Sequence, residues 1–293
     1  METATLANIH WYDERFEYDC QARNPQVEQA CFHHFFGRKS MTIVDLCSGT
    51  GSNCLYFFEK FPIQQKWIFI ETQENISKYA LKRISNAANE KGYAIEKKGE
   101  KLTLTKEERT ITIEYITASF LDLVDVVNLD EVDLVMASAA FDLISFPQFV
   151  KFGSVLLEKK LPLLTTLNYA EMNFDSDDPT DIFCIEKYES YMNRPQDFGK
   201  AMGKKCPRIL VDFFQKQEAK VEVGSSIWRL EGAPAKAMNV HLLNFMEAAA
   251  KQMIEEEEEQ VLFENWINGK RKLTDDGTLN TYVQYYDLFV SNK

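Results

Sequence analysis

The residues best placed to do chemistry are an acid, two glycines and a second acid. Asp45 ends an apolar run, Gly49 and Gly51 follow in the stretch MTIVDLCSGTGSN (Met41 to Asn53), and Glu71 comes roughly 20 residues after the turn. Glycine lets backbone approach a ligand closely or take a left-handed bend. A turn that opens a helix offers free N–H groups to an anionic group, and an acid ending the next strand can accept hydrogen bonds from a ribose hydroxyl. The combination points to an adenosine-containing cofactor; a tight βα corner with nothing bound is the alternative. A dinucleotide fingerprint would need a small residue where Cys54 stands. Asp45 would repel a pyrophosphate but could hold a cationic amino group, and GTGSN lacks the lysine of a phosphate-binding P-loop.

These residues need elements to hold them. TIVDL, from Thr42, is a short β-branched strand, and SNCLYFFEKF has helical spacing that stops at Pro62. KWIFIET is a second strand carrying Glu71, and QENISKYALKRISNAANEKG is a helix closed by Gly92. A β-hairpin insert of about 93–108, turning at Gly99, leads into a third strand over roughly Thr110 to Thr117. EVDLVMASAAFDLI supplies a fourth strand, FPQFVKFGSVLLEKKL a helix and PLLTTLNY a fifth strand. Strands alternating with helical patterns predict βαβ units and a parallel sheet. After Tyr169 the rhythm breaks into an acidic, turn-rich stretch, several helices and the extended KVEVGSSIWRL, and TYVQYYDLFVS ends the chain as an alternating strand. The run Glu255 to Glu259 reads as a solvated helical face or hinge. Residues 1–40 form an aromatic-rich helical segment, with a helix after Pro25, that either caps the sheet or closes over a ligand as a lid. Residues 41–293 read as one domain, with a cover insert of about 171–203 rich in Tyr, Phe and Met.

Composition narrows the function classes. The 293 residues, 45% hydrophobic and 27% charged, are enough for a sizeable core. A formal charge of −12 argues against a nucleic-acid polyanion as main partner. No stretch approaches 18 apolar residues, so no membrane span is expected. Six scattered cysteines without a C-x-x-C pair or a histidine at zinc spacing predict a reduced chain and no metal site. The opening residues lack a basic region followed by an apolar core, so a cytoplasmic location is the simplest expectation.

VDLCSGTGSN resembles the first motif of class I S-adenosylmethionine-dependent methyltransferases, D-x-G-x-G-x-G, with Cys47 replacing the first glycine. The resemblance covers roughly Thr42 to Tyr169; QARN, DFGKAMG and SSIWRLEG are more loosely similar to an uncharacterised bacterial group of these enzymes. It implies an α/β Rossmann-like, doubly wound sheet of seven strands, mostly parallel, with an antiparallel last strand and helical substrate-cover insertions. It also implies S-adenosyl-L-methionine as cofactor and S-adenosyl-L-homocysteine as product. The glycine-turn residues Asp45, Cys47, Ser48, Gly49, Thr50, Gly51 and Asn53 would then face the cofactor, with Glu71 and Thr72 at its ribose. ASFLDL would frame the adenine through Phe120, Leu121 and Asp122, and Ala137 and Ser138 would lie beside the methyl donor. Cys47 places a Cβ and sulfur where the motif has glycine, which requires a roomier site or a displaced ligand.

Methyl transfer from a sulfonium requires alignment more than acid–base machinery, because the donor is already activated. The acceptor side is therefore read from position: ligands of open α/β sheets bind beyond the carboxyl ends of the strands. That nominates Asp142 and Tyr169 as catalytic candidates, and Tyr12, Phe141 and Glu171 as substrate-binding ones. The plainer alternatives are a helix cap for Asp142, core for Phe141 and packing for Tyr169. Arg23 would meet the cofactor carboxylate or an acidic substrate, or else pair with Asp19 or Glu28. ASAAFD after the fourth strand lacks the N/D-P-P-Y/F of enzymes that methylate nucleobases or glutamine. The leading expectation is methylation of a small molecule at oxygen or nitrogen in a closed pocket. Protein methylation, and a cofactor-binding protein without catalysis, stand as alternatives.

Overall fold

The computed structural model describes residues 6–62, 64–196 and 199–292. Residues 1–5 of the expected N-terminal cap and 197–198 of the expected cover lie outside the described residues. Its centre is β1 (Ser40–Leu46), which runs parallel to β2 (Gln64–Glu71) on one side and β6 (Leu134–Ser138) on the other. A strand covered on both faces must be apolar along its length. Ile43, Val44 and Leu46 are buried accordingly, and so is the one acid between them, Asp45.

The sheet grows outward from β1. β5 (Arg109–Thr117) lies parallel beyond β2, and β7 (Leu163–Phe174) parallel beyond β6. β11 (Asn280–Ser291) inserts antiparallel between β7 and β10 (Lys220–Glu231), so the last strand reverses direction as expected. Helices cover both faces. α2 (Pro25–His34), α3 (Ser52–Phe57) and α4 (Glu74–Glu90) pack on one, and α6 (Phe146–Glu158) and α8 (Cys206–Lys216) on the other. The single-turn α5 (Leu123–Val126) follows β5. This is a doubly wound sheet, but among the described residues it has nine strands where seven were expected. The hairpin β3 (Ala94–Lys98) and β4 (Lys101–Lys106) does not stand apart, because β4 pairs antiparallel with β5. The alternate positions Leu102 and Leu104 are fully buried on the sheet's face, each worth about 1.5–3 kcal/mol. That burial makes the insert an extension of the sheet.

A third apolar cluster lies between a further set of helices and the β7, β11 and β10 side of the sheet. α1 (Leu6–Ala22), α7 (Thr180–Met192), α9 (Lys236–Met253) and α10 (Glu257–Asp275) enclose Trp228, Met246, Phe263 and Trp266. Inside it the Lys270 ammonium, 3% exposed, sits 2.6 Å from the Asp181 carboxylate, which also accepts the Trp266 indole N–H. A buried charge needs such a partner, and here the pair ties α10 to α7. The run Glu255–Glu259 is the junction of α9 and α10, with three of its acids in the first turn of α10, where the helix dipole favours them. β8 (Pro195–Gln196) and β9 (Gly199–Lys200) form a two-residue ladder after α7. Among the described residues no helix is long and apolar enough to cross a membrane.

β7 and β11 leave register twice, and both irregularities shape the site. At Ala170 the extra residue breaks the alternation that would put Tyr169 and Glu171 on one face. At the other, Leu167 takes a left-handed φ of +56° and its N–H leaves the ladder. Asp287 recovers it: one carboxylate oxygen accepts the Leu167 N–H at 2.8 Å and the Ser226 hydroxyl at 2.7 Å. The other accepts the Asn24 N–H at 2.8 Å, so the start of α2 is fixed to the same carboxylate. Asp287→Ala strands two backbone donors in a dry interior and should lower stability by about 3 kcal/mol in urea unfolding. Asp287→Asn, which keeps an acceptor oxygen, should lose less.

Candidate functional site

The glycine turn leaves β1 through three left-handed residues: Cys47 at φ +49°, Gly49 at +52° and Gly51 at +78°. Ser48 N–H is held by the Ile70 carbonyl at 3.2 Å, which pins the turn to β2. The two glycines serve different needs. A Cβ on Gly51 would lie 2.8 Å from the Ile84 side chain, so this glycine permits close packing of α4. A Cβ on Gly49 would meet nothing nearer than 3.9 Å, so this glycine keeps the turn open beside Tyr12. Cys47 follows a glycine-like path despite its Cβ, at a cost of about 1–2 kcal/mol. Its surface is cavity surface: burial in that recess, with Glu71 and Asp45 near, pushes the thiol up to about 12.

Glu71 ends β2 facing the turn. One carboxylate oxygen accepts the Gly49 N–H at 3.1 Å; the other accepts the Gln73 N–H at 3.1 Å and the Thr72 hydroxyl at 3.2 Å. Around them lies a cavity of about 250 Å³. The cofactor candidates Cys47, Ser48, Gly49, Thr50, Asn53, Glu71, Thr72, Phe120 and Ser138 line it, and so does Tyr12, expected on the substrate side. Gly51 packs behind them. Ala137 is buried in the core beneath, because its side chain alternates away from that of Ser138. Residues 120–122 form a single 3₁₀ turn: Phe120 packs inward against Phe152, while Leu121 and Asp122 are exposed and do not reach the cavity.

Asp45 and Arg23 also stand back from the ligand space. Asp45 accepts a hydrogen bond from Asn53 Nδ2 at 2.7 Å, and Asn53 Oδ1 accepts the Arg23 guanidinium at 2.8 Å. Arg23 continues to Thr166 Oγ1 at 3.2 Å, and Thr166 donates to Ser138 at 3.0 Å. Asn53 and Ser138 are the two points where this buried chain meets the cavity. Burial pushes the Asp45 carboxyl up to about 7, against the Asn53 hydrogen bond and the Arg23 charge. Arg23 pairs with neither Asp19 nor Glu28; it stacks over Tyr56 and Phe57.

A second cavity, of about 410 Å³, adjoins the first, and Tyr12, Arg15, Ala139 and Leu143 line both. Asp142 and Tyr169 line the second. Tyr169 donates to Glu189 at 3.0 Å, and Lys204 sits 2.6 Å from the other Glu189 oxygen. Burial raises Asp142 from 3.8 to about 6. Phe141 does not line either cavity; it is 1% exposed and packs on Phe149 and Phe152. Glu171 is exposed in an outer groove beyond the Ala170 bulge.

The cavities owe their walls to residues that the motifs do not touch. Trp11, Arg15 and Asp19 recur every four residues along one face of α1, the one signal that could have found them. Arg15 is held by Asp19 at 2.9 and 3.2 Å and lies 4.8 Å over the Trp228 ring. Tyr188 from α7, Trp228 from β10, Phe245 from α9 and Tyr285 from β11 also line the second cavity, so its walls come from elements well beyond 171–203. α1 is fastened at both flanks. Asp13 bonds Arg83 and Tyr79 on α4, and Glu14 lies 2.6 Å from His241 on α9.

No family model and no curated protein matches the chain. Solved structures do. A cyclopropane-fatty-acyl-phospholipid synthase-like protein from Lactobacillus casei is 8% identical at a TM-score of 0.53, covering 98% of this chain and 94% of that one. Haemonchus contortus phosphoethanolamine N-methyltransferase 2, in complex with phosphomonomethylethanolamine and S-adenosylhomocysteine, is 13% identical at 0.48 over 98% of this chain. The chain spans only 57% of that protein. A methyltransferase from Thiobacillus denitrificans bound to S-adenosylhomocysteine is 12% identical at 0.44, covering 98% and 99%. At a TM-score of 0.53, the Lactobacillus casei protein shows that the chain shares its fold, a Rossmann-like doubly wound sheet.

Two outcomes follow from this geometry. Cys47→Gly should leave stability unchanged or raise it by up to about 1 kcal/mol, whereas the β-branched Cys47→Val should lose about 1–2 kcal/mol in urea unfolding. Asp142 binds its proton more tightly in the folded chain, so its contribution to stability falls as pH rises from about 4 to about 6. Asp142→Asn should remove that part of the slope when unfolding midpoints are compared across the window.

Proposed function

We propose that the chain is an S-adenosylmethionine-dependent methyltransferase acting on a small molecule. The observation that carries this reading is the pair of adjoining cavities at the carboxyl ends of the strands, one built on the glycine turn and Glu71, the other aromatic and helix-covered. The residues fit the cofactor. The Ser48 hydroxyl, buried without a protein partner, lines the first cavity and would be satisfied by a polar ligand atom. Glu71 has lone pairs to offer ribose hydroxyls, and the paired Arg15 and Asp19 present both charges to a zwitterionic amino-acid end. Ile70, Phe120 and Leu143 supply apolar walls for a base. When bound, this cofactor supplies a methyl group on a sulfonium whose leaving group is a neutral thioether.

The chain's own residues then have to orient and exclude water. α1 carries Tyr12 and Arg15 into the boundary between the cavities, and its ties to α4 and α9 hold that boundary in place, so we read it as the lid. Asp142, beside the boundary residue Leu143, is the proton acceptor for an acceptor group that must lose one. The test is calorimetry of the full chain with S-adenosylmethionine. The parent protein should bind it, and Glu71→Ala should bind about 10–100-fold more weakly, the loss of one or two hydrogen bonds to a charged group. Absence of binding by the parent ends the proposal.

A further inference from the structure

We propose that the second cavity takes an amine, held through its positive charge by Asp142 and the surrounding aromatic rings; this rests on the methyltransferase reading of the adjoining cavity. Four charged side chains line the space. Arg15 is neutralised by Asp19, and Lys204 by Glu189. Asp142 has no ion-pair partner among the described residues, and its Oδ1 is buried without a hydrogen bond. An unpaired carboxylate withdrawn from water is costly unless a cation or proton donor arrives to meet it. Much of the remaining wall is aromatic, through Trp11, Tyr188, Trp228, Phe245 and Tyr285, and Asn193 adds a second buried acceptor oxygen without a partner. Ring faces attract an ammonium by about 0.5–2 kcal/mol each when it is desolvated, and do nothing of the kind for an anion. A carboxylate acceptor would instead meet Asp142 and Glu189 as like charges.

The same arrangement prepares the amine to react. An ammonium has no lone pair, so it must lose a proton before its nitrogen can attack. Burial lowers the proton affinity of an ammonium and raises that of a carboxylate, and Asp142 already stands at about 6. Asp142 takes the proton; the freed nitrogen pair forms the N–C bond while the C–S pair returns to sulfur, and the methylated amine leaves as an ammonium. The carboxyl proton then passes to water.

Three probes with one ring and different heads separate the possibilities: 2-phenylethylamine, 2-phenylethanol and phenylacetate, titrated calorimetrically into the full chain with and without S-adenosylhomocysteine. The amine should bind at least tenfold tighter than the alcohol, and phenylacetate most weakly. Asp142→Asn should bring the amine to the alcohol's level while S-adenosylhomocysteine affinity is kept, which also reports that the variant is folded. Tyr188→Leu provides the second variant, with about a threefold smaller preference for the amine expected. Binding of the alcohol or phenylacetate as tight as that of the amine, no binding of any of the three, or an undiminished preference in both variants overturns the proposal. Cofactor affinity is read separately, so failure of the methyltransferase reading shows as lost S-adenosylhomocysteine binding whatever the probes do.

Discussion

The Arg23 guanidinium is a charge taken out of water, 6% exposed, and much of the site is arranged around accommodating it. Such a group is stable only with counter-charges and acceptors in place. Asp45 reaches it through Asn53, Thr166 accepts from it directly, and the Tyr56 and Phe57 rings cover its faces. The next residue, Asn24, gives its N–H to Asp287, so the chain enters α2 at a position fixed by a second buried carboxylate. One cation thereby ties the N-terminal helices to β1, the glycine helix and β7. The points where this polar chain surfaces, Asn53 and Ser138, are in the cofactor cavity.

The second cavity follows from the same anchoring. With Arg23 and Asn24 fixed, α1 runs across the carboxyl ends of the strands and carries Trp11, Tyr12, Arg15 and Asp19 over them. Trp228 is the meeting place: its indole N–H bonds Asp19 at 3.0 Å, its face receives Arg15, and its edges meet Trp11 and Tyr285. The region around the boundary is thus built from paired charges and edge-to-face rings. Such a boundary resists water entry while leaving Asp142 Oδ1, together with Asn193 Oδ1, without a hydrogen bond on the acceptor side.

What the sequence made legible and what it concealed divide along range of interaction. The strand–turn–helix of Ser40–Phe57 and Glu71 at the end of β2 rest on local period and turn chemistry, the reversal of the last strand on the resemblance alone, and these readings match the structure. Phe141 was nominated for its place after a strand, but the 3₁₀ turn there aims it at Phe149 and Phe152. Glu171 was nominated for its place after the fifth strand, and a single bulged residue, visible only in the pairing with β11, leaves it in the outer groove, apart from Tyr169. Asp122 and Leu121 were carried over from a motif, and the 3₁₀ turn here leaves both side chains exposed. Asp45 and Arg23 were expected at the ligand, yet their pairing through Asn53 needed a contact 30 residues apart in sequence. The acceptor cavity was least legible, because it is assembled from α1, α7, α9 and the three strands β7, β10 and β11, far apart in sequence.

The hairpin after α4 has an effect unrelated to ligands. β5 reads RTITIEYIT, a nine-residue run of alternating β-branched residues without Gly or Pro. Were it the outermost strand, its free N–H and C=O groups would offer a flat template to any other extended chain. β4 occupies that row, and β3, exposed along its whole length and carrying Glu96, Lys97 and Lys98, becomes the rim. Charged side chains along a short outer strand discourage further pairing. The two added strands therefore work as a guard against self-association, moving the vulnerable border of the sheet away from the strands that carry the site.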